Sequence, residues 1–195
     1  MVFPGQGSQR VGMLADLAAS HSSVTDVFAE ASEALQYDLW QLVCEGPEER
    51  LNQTEVTQPA LLTAGVAVWR LWQQQDGIAP EVFAGHSLGE YTALVCAGVL
   101  DFVNAVKLVE ARGRFMQQAV PDGIGAMAAI VGLDDESVAN VCAELTGDKK
   151  VGSANYNAPG QVVIAGHKEL VETACQELKA KGAKMAKLIP VSVPS

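Results

Sequence analysis

The residue with the clearest chemical prospect is Ser87, set between two glycines in Gly85-His86-Ser87-Leu88-Gly89. Ahead of it, Val82-Phe83-Ala84-Gly85 reads as a short apolar strand. Behind it, Tyr91-Thr92-Ala93-Leu94-Val95-Cys96-Ala97-Gly98-Val99-Leu100 reads as a buried helix. A Gly-x-Ser-x-Gly turn between strand and helix is the pattern of a nucleophile elbow. The turn is tight enough that side chains at positions 85 and 89 would strike neighbouring chain. The serine is held exposed at the tip, beside the positive end of the helix that follows. The five-residue pattern alone is modest evidence, and an ordinary glycine-rich turn with a surface serine competes with it. The strand before and the helix after favour the elbow.

Three further features bear on Ser87. The first is the loop Gly5-Gln6-Gly7-Ser8-Gln9, whose glycines let the backbone approach another group closely. At the end of a first strand, Val2-Phe3, it can aim the Gln6 amide at a carbonyl held over Ser87. With the backbone N–H of Leu88 this makes a two-donor oxyanion hole. Taken alone, the loop reads more readily as a plain glycine-rich turn. The second is Arg112, which lies 25 residues after Ser87, flanked by apolar Leu108, Val109 and Phe115 that turn it partly inward. A guanidinium beside a nucleophile clamps a substrate carboxylate through two parallel hydrogen bonds. A salt bridge to Glu110 or a solvated face is the alternative. The third is the supply of bases, since a serine nucleophile must lose a proton. The histidines are His21, His86 and His167. His21 ends a surface-type helix, His86 leaves the turn away from Ser87, and His167 begins a later helix. None is placed as a base.

The elements that must hold these residues follow from periodicity. Helices are expected over roughly 12–20 and 23–35, with a short apolar piece at 39–43 and a short acid-led helix at 47–52. A central helix is expected over 60–75, with Pro59 in its first turn and Gly77 just past its end. Its Leu61, Leu62, Ala64, Val66, Val68, Leu71 and Trp72 leave little polar face. A further helix is expected over 102–118. After Pro121-Asp122-Gly123 the pattern changes to strand 126–133, helix from Asp134 to Leu145, strand 151–157, strand 161–165, helix 168–181 and strand 184–193. That order is βαββαβ, the split ferredoxin-like arrangement. The expected domains are 1–123 and 124–195.

Composition narrows the classes of function. The chain has 195 residues, 49% hydrophobic and 18% charged, which suits a packed core. A net charge of −10 argues against nucleic acid and against an anionic membrane surface as partners. Cys44, Cys96, Cys142 and Cys175 form no Cys-x-x-Cys pair, so they are expected to be buried, reduced thiols rather than metal ligands. No signal-peptide pattern opens the chain, and no apolar run approaches the ~20 residues of a membrane span. A cytoplasmic protein is expected. The brevity of the strand at Val2-Phe3 predicts that a natural N-terminus lies a few residues upstream.

Several segments together resemble the malonyl-CoA:acyl-carrier-protein transacylases of bacterial type II fatty-acid synthesis. They are Phe3-Pro4-Gly5-Gln6-Gly7-Ser8-Gln9, Thr57-Gln58-Pro59-Ala60, Gly85-His86-Ser87-Leu88-Gly89-Glu90-Tyr91, Arg112-Gly113, Asn157-Ala158-Pro159-Gly160-Gln161 and Pro190-Val191-Ser192-Val193-Pro194-Ser195. The resemblance implies an α/β fold, an incomplete α/β-hydrolase-like lobe carrying a ferredoxin-like lobe. It implies Ser87 as the nucleophile, Gln6 and Leu88 as the oxyanion hole, Arg112 on the malonyl carboxylate, and Gln58 lining the pocket. Malonyl-CoA and acyl-carrier protein are the implied partners, with no metal or redox cofactor. The base histidine is implied directly after Ser195, with the rest of the larger lobe beyond it. Residues 1–195 alone are therefore expected not to turn over, and to expose apolar surface that invites self-association.

Two other functions are open from the sequence. One is a serine esterase or thioesterase sharing the elbow, for which Arg112 has no use. The other is a non-catalytic fragment that keeps the shape of the site without its base. For an acidic carrier, Lys179, Lys181, Lys184 and Lys187 offer a local cationic face, with a merely solubilising face as the alternative.

Overall fold

A computed structural model describes residues 1–120 and 123–189 of the chain. The expected turn residues Pro121-Asp122, the end of the last expected strand and the segment 190–195 lie outside the described residues. The fold is mixed α/β and divides into two compact units, Met1–Phe115 and Met116–Ser195.

The first unit contains β1 (Val2–Phe3), α1 (Ala15–Ser20), α2 (Ser23–Leu35), α3 (Leu39–Glu45), α4 (Glu48–Leu51), α5 (Thr54–Gln74), β2 (Ala84–Gly85) and α6 (Leu88–Cys96), and α7 (Phe102–Ala119) begins in it. Apolar residues of α2 recur at helical spacing, and Val24, Val27, Phe28, Ala31 and Leu35 are all buried. They join Leu39, Leu51, Leu62 and Leu88 in one core. Each fully buried large side chain is worth about 1.5–3 kcal/mol. The piece at 39–43 is a helix, because Asp38 caps it by accepting from the Gln41 N–H at 2.8 Å. Residues 12–14 do not join α1. Gly12 and Leu14 have φ of 81° and 65°, which breaks a right-handed start.

The central helix begins six residues earlier than the position of Pro59 predicts. Pro59 lies inside α5, where it removes one backbone bond and crowds the preceding turn. Tertiary contacts outweigh that local cost. The hydroxyl of Thr57 donates to Leu51 O at 2.6 Å. The bare backbone of Gly113 on α7 packs so tightly that a Cβ there would lie 2.5 Å from Thr54 O. The far end of α5 is less buried than its composition suggests, with Val68 39% and Trp72 45% exposed. The Trp72 indole folds back over Gly77, where a Cβ would lie 2.3 Å from the ring, and donates to Ile78 O. Gly77 thus serves close approach rather than a left-handed cap, a conformation that falls to Asp76 at φ 52°.

β1 and β2 run parallel, with Phe3 beside Gly85. Phe3 stacks on Phe83, and Trp69 of α5 meets Phe83 edge-on at 5.0 Å, so the strand pair is seated on α5. The strand before the elbow shrinks to Ala84–Gly85, and α6 ends at Cys96, leaving Val99 67% exposed.

The second unit contains β3 (Gly125–Val131), α8 (Asp135–Leu145), β4 (Val151–Ala158), β5 (Gln161–His167), α9 (Lys168–Ala180) and β6 (Met185–Ile189). The element order is βαββαβ. Its four strands lie in the order β4-β5-β3-β6, and every neighbouring pair is antiparallel. Alternation along β3 and β5 turns Ala128, Ile130, Val162 and Ile164 into one core with Val138, Val141, Val171 and Leu178 of the helices. The Asp134 carboxylate caps α8 by accepting from the Ser137 N–H at 2.8 Å. Gly160, at φ 73°, makes the turn between β4 and β5.

Candidate active site

Two loops leave the carboxyl ends of adjacent parallel strands, which is where open α/β sheets bind ligands. One follows β1 and carries Gln6. The other follows β2 and carries Ser87.

The elbow is built by exclusion. A Cβ at Gly85 would lie 2.0 Å from the carbonyl carbon of Gly89, and one at Gly89 would lie 2.3 Å from Phe3 O. Neither position admits a side chain. Leu88, only 1% exposed, anchors the start of α6 in the core. Between these fixed points Ser87 takes φ 53° and ψ −107°, a strained backbone for a residue with a side chain. Ser87 occupies the N-cap position of α6 but its hydroxyl makes no capping bond. It is exposed and accepts a hydrogen bond from Arg112 Nη2 at 3.1 Å.

Arg112 is oriented from α5. Its Nη1 donates to Gln58 Oε1 at 2.8 Å, and its guanidinium lies 5.4 Å from the centre of the Tyr91 ring. Gln58 is fully buried. Of the apolar neighbours expected to turn Arg112 inward, Val109 is fully buried, whereas Leu108 is 48% and Phe115 66% exposed. The inward pull comes from Gln58, which lies 54 residues away in sequence.

The side-chain amide of Gln6 donates to Thr54 Oγ1 at 3.2 Å. The loop braces itself as well: the Gly7 N–H donates to Gln9 Oε1, and Gln9 Nε2 donates to Asn52 Oδ1 at 2.7 Å. Of the expected site residues, the structure therefore links Ser87, Arg112 and Gln58 directly. Leu88 opens α6 next to Ser87, and Gln6 stands on the neighbouring loop. Thr54 and Tyr91 were not singled out from the sequence as contributors to the site. The signal for Thr54 was available, because it sits one helical turn before Gln58 on α5.

The histidines are engaged elsewhere. The His86 ring lies on the Gly5 side of the turn, with Nδ1 3.5 Å from where a Gly5 Cβ would be. His167 Nδ1 accepts from the Lys150 N–H at 3.0 Å and ties β5 to the start of β4. His21 follows α1 as its C-cap residue. The thiols are unpaired, and only Cys142 is fully buried; Cys44, Cys96 and Cys175 are half-buried, which corrects the expectation of four buried thiols. Burial nonetheless pushes Cys96 up to about 12 and Cys142 up to about 11, so both thiols stay protonated near neutral pH.

The acyl transferase domain family matches residues 1–195. The chain belongs to this family. It is 66% identical to a malonyl CoA-acyl carrier protein transacylase of Escherichia coli K12, across all of this chain and 63% of that protein. It is 43% identical to the protein of that name from Staphylococcus aureus MSSA476, over 62% of that protein. A solved acyl carrier protein S-malonyltransferase from Vibrio cholerae matches with a TM-score of 0.94 and 63% identity, covering this chain entirely and 63% of the other. The chain thus spans a little under two thirds of the length of these acyl transferase relatives. No described helix is long and apolar enough to cross a membrane.

Proposed function

We propose that this chain carries the nucleophile and carboxylate-binding parts of a malonyl-CoA:acyl-carrier-protein transacylase. The observation that carries the reading is Arg112, a cation held by buried Gln58 and set against the nucleophile itself at 3.1 Å. A serine hydrolase of neutral esters has no need of it. An acyl group ending in a carboxylate does, because that carboxylate can replace Ser87 Oγ on the guanidinium and gain a charge-assisted pair.

In this reading Ser87 Oγ attacks the thioester carbonyl and loses its proton to a base. The carbonyl oxygen becomes an oxyanion facing the main-chain N–H groups of Gln6 and Leu88. The Gln6 side chain is committed to Thr54, which leaves its main-chain N–H for this task. Collapse expels the CoA thiolate and leaves malonyl-Ser87. The phosphopantetheine thiol of an acyl-carrier protein then attacks the ester and regenerates the serine, a ping-pong exchange. Ester and thioester chemistry of this kind needs no metal or redox cofactor. The base is not supplied by His86 in its present position. The surrounding architecture in this reading is an α/β-hydrolase-like lobe, 1–123, and a ferredoxin-like lobe, 124–195, in a cytoplasmic enzyme.

One solved relative is a malonyl-transacylase in complex with a type II PKS acyl-carrier protein, at 61% identity and a TM-score of 0.95. Such a carrier is the proposed acceptor here. Lys179, Lys181, Lys184 and Lys187 are all exposed and supply a local cationic face. β6 pairs only with β3 among the described residues, so its lysine also guards a sheet edge against further pairing.

Incubation with malonyl-CoA followed by peptide mass spectrometry tests the proposal. The expected result is a malonyl adduct confined to Ser87, reduced by Arg112→Ala and then no better than acetyl from acetyl-CoA. Hydrolysis of neutral thioesters that Arg112→Ala leaves untouched would move the assignment to a thioesterase.

A further inference from the structure

α5 presents two buried polar side chains one turn apart, Thr54 and Gln58, and each reaches a different part of the site. Gln58 Oε1 accepts from Arg112 Nη1 at 2.8 Å. Thr54 Oγ1 accepts from Gln6 Nε2 at 3.2 Å. Thr54 is fully buried, and a valine would fill the same space without a hydroxyl to satisfy. Its position is fixed from the other side too, since Gly113 of α7 brings its backbone against Thr54 O and Glu55. One turn of α5 therefore joins the Gln6 loop to the helix that carries Arg112.

We propose that Thr54 is a positioning residue for acyl transfer. It holds the Gln6 side chain so that the main-chain N–H of Gln6 faces the carbonyl over Ser87. The inference rests on the transferase reading above. The loop needs such a hold because Gly7 sits at φ 105° with open space around it and offers little resistance to rotation. The Gln9 to Asn52 bond is a second tether, so loss of Thr54 Oγ1 tilts the loop without releasing it.

The test uses a Ser87→Cys form of the chain, because a thiol ionises near neutral pH without a dedicated base. Two reactions at the introduced Sγ are timed. In the first, the thiolate attacks the carbonyl of malonyl-CoA, the bond to the CoA sulfur breaks, and CoA leaves as a thiolate that takes a proton from water. That route passes through an oxyanion. In the second, iodoacetamide alkylates the same thiolate with loss of iodide, and no oxyanion forms. Adding Thr54→Val is expected to slow acylation by between about 5-fold, the worth of one net hydrogen bond, and about 100-fold, short of an outright lost oxyanion donor. Alkylation stays unchanged. Thr54→Ser restores acylation. Gln6→Met slows it as Thr54→Val does, and the two together are no worse than either alone. Acylation that is unaffected by Thr54→Val, that falls in step with alkylation, or that falls additively with Gln6→Met overturns the inference. If the introduced thiol beside an intact Thr54 is alkylated but never acylated, the transferase reading fails, and the inference with it.

Discussion

Ser87 and Asp134 occupy the same position in their respective helices, the N-cap, and do opposite things there. Asp134 has an extended backbone, φ −69° and ψ 157°, and spends its carboxylate on the helix. It accepts from the Ser137 N–H at 2.8 Å and from Ser137 Oγ at 2.7 Å. Those bonds hold the Asp134 carboxyl below its usual range. Ser87 has φ 53° and ψ −107° and gives its helix no side-chain cap. Its hydroxyl faces out and meets a cation instead. A cap is a structural asset that relaxes a helix end. Withholding the cap and straining the backbone leaves the same side chain available to a ligand. The turn at Asp134 stabilises its helix, and the turn at Ser87 leaves its hydroxyl exposed, as the proposed nucleophile requires.

The contrast is broken most severely at the glycines that impose it. Gly85→Ala or Gly89→Ala drives a Cβ into backbone and is expected to cost more than about 4 kcal/mol, an exceptional loss for one methyl group. Gly147→Ala, where the added carbon meets nothing within 4 Å, should change stability little. All three tryptophans, Trp40, Trp69 and Trp72, lie in the first unit, so denaturant titration followed by tryptophan fluorescence reads the elbow variants directly.

Next in size is the cation. Arg112→Lys keeps the charge but cannot hold Gln58 and a carboxylate with one planar fork. The preference for malonyl over acetyl adducts on Ser87 is expected to fall by about 10- to 100-fold, as for a lost charge-assisted bond. Parallel incubations with the two CoA esters give the ratio.

Smaller is the strain. Ser87→Gly removes the adduct altogether, yet it should stabilise the first unit by a net of about 1 kcal/mol, strain relief less the added chain entropy. A higher urea midpoint confirms this, and a lower one means that the serine backbone is not under strain.

Smallest is the relaxed cap. Asp134→Ala should lower the melting temperature of the second unit by a few degrees near neutral pH. The carboxyl is held low in the folded state, so its contribution is present above the ordinary carboxylate range and is lost as pH falls through the folded value. The gap between the two proteins should therefore close in acid, as followed by circular dichroism at several pH values.

The elbow was legible in sequence because its cause is local. Gly85 and Gly89, a strand before and a helix after state the constraint within a short stretch of chain. The βαββαβ order was legible for a similar reason, since alternation along 161–165 and the Asp134 cap are written in neighbouring residues. The start of α5 was not. Pro59 argues locally for a helix beginning beside it, and the contact that overrules it comes from Gly113, far along the chain. The aim of Arg112 was legible only in part, because buried Val109 is beside it in sequence but its hydrogen-bond partner, Gln58, is on another helix. The backbone of the elbow is fixed by its neighbours in sequence, whereas the side chains of Arg112 and Gln6 are held by partners 54 and 48 residues away.

Gly113 gives the last of these contacts a wider meaning. It follows Arg112 directly, and its missing side chain is the notch into which the first turn of α5 fits. A notch one residue from the cation sets how deep that cation sits, much as a shoulder on a shaft sets the travel of a bearing. Arg112 and Gly113 act as one mechanical part. A substitution at 113 sets a side chain against the backbone of Thr54 and Glu55 and is expected to push the two helices apart and draw the guanidinium back from Ser87.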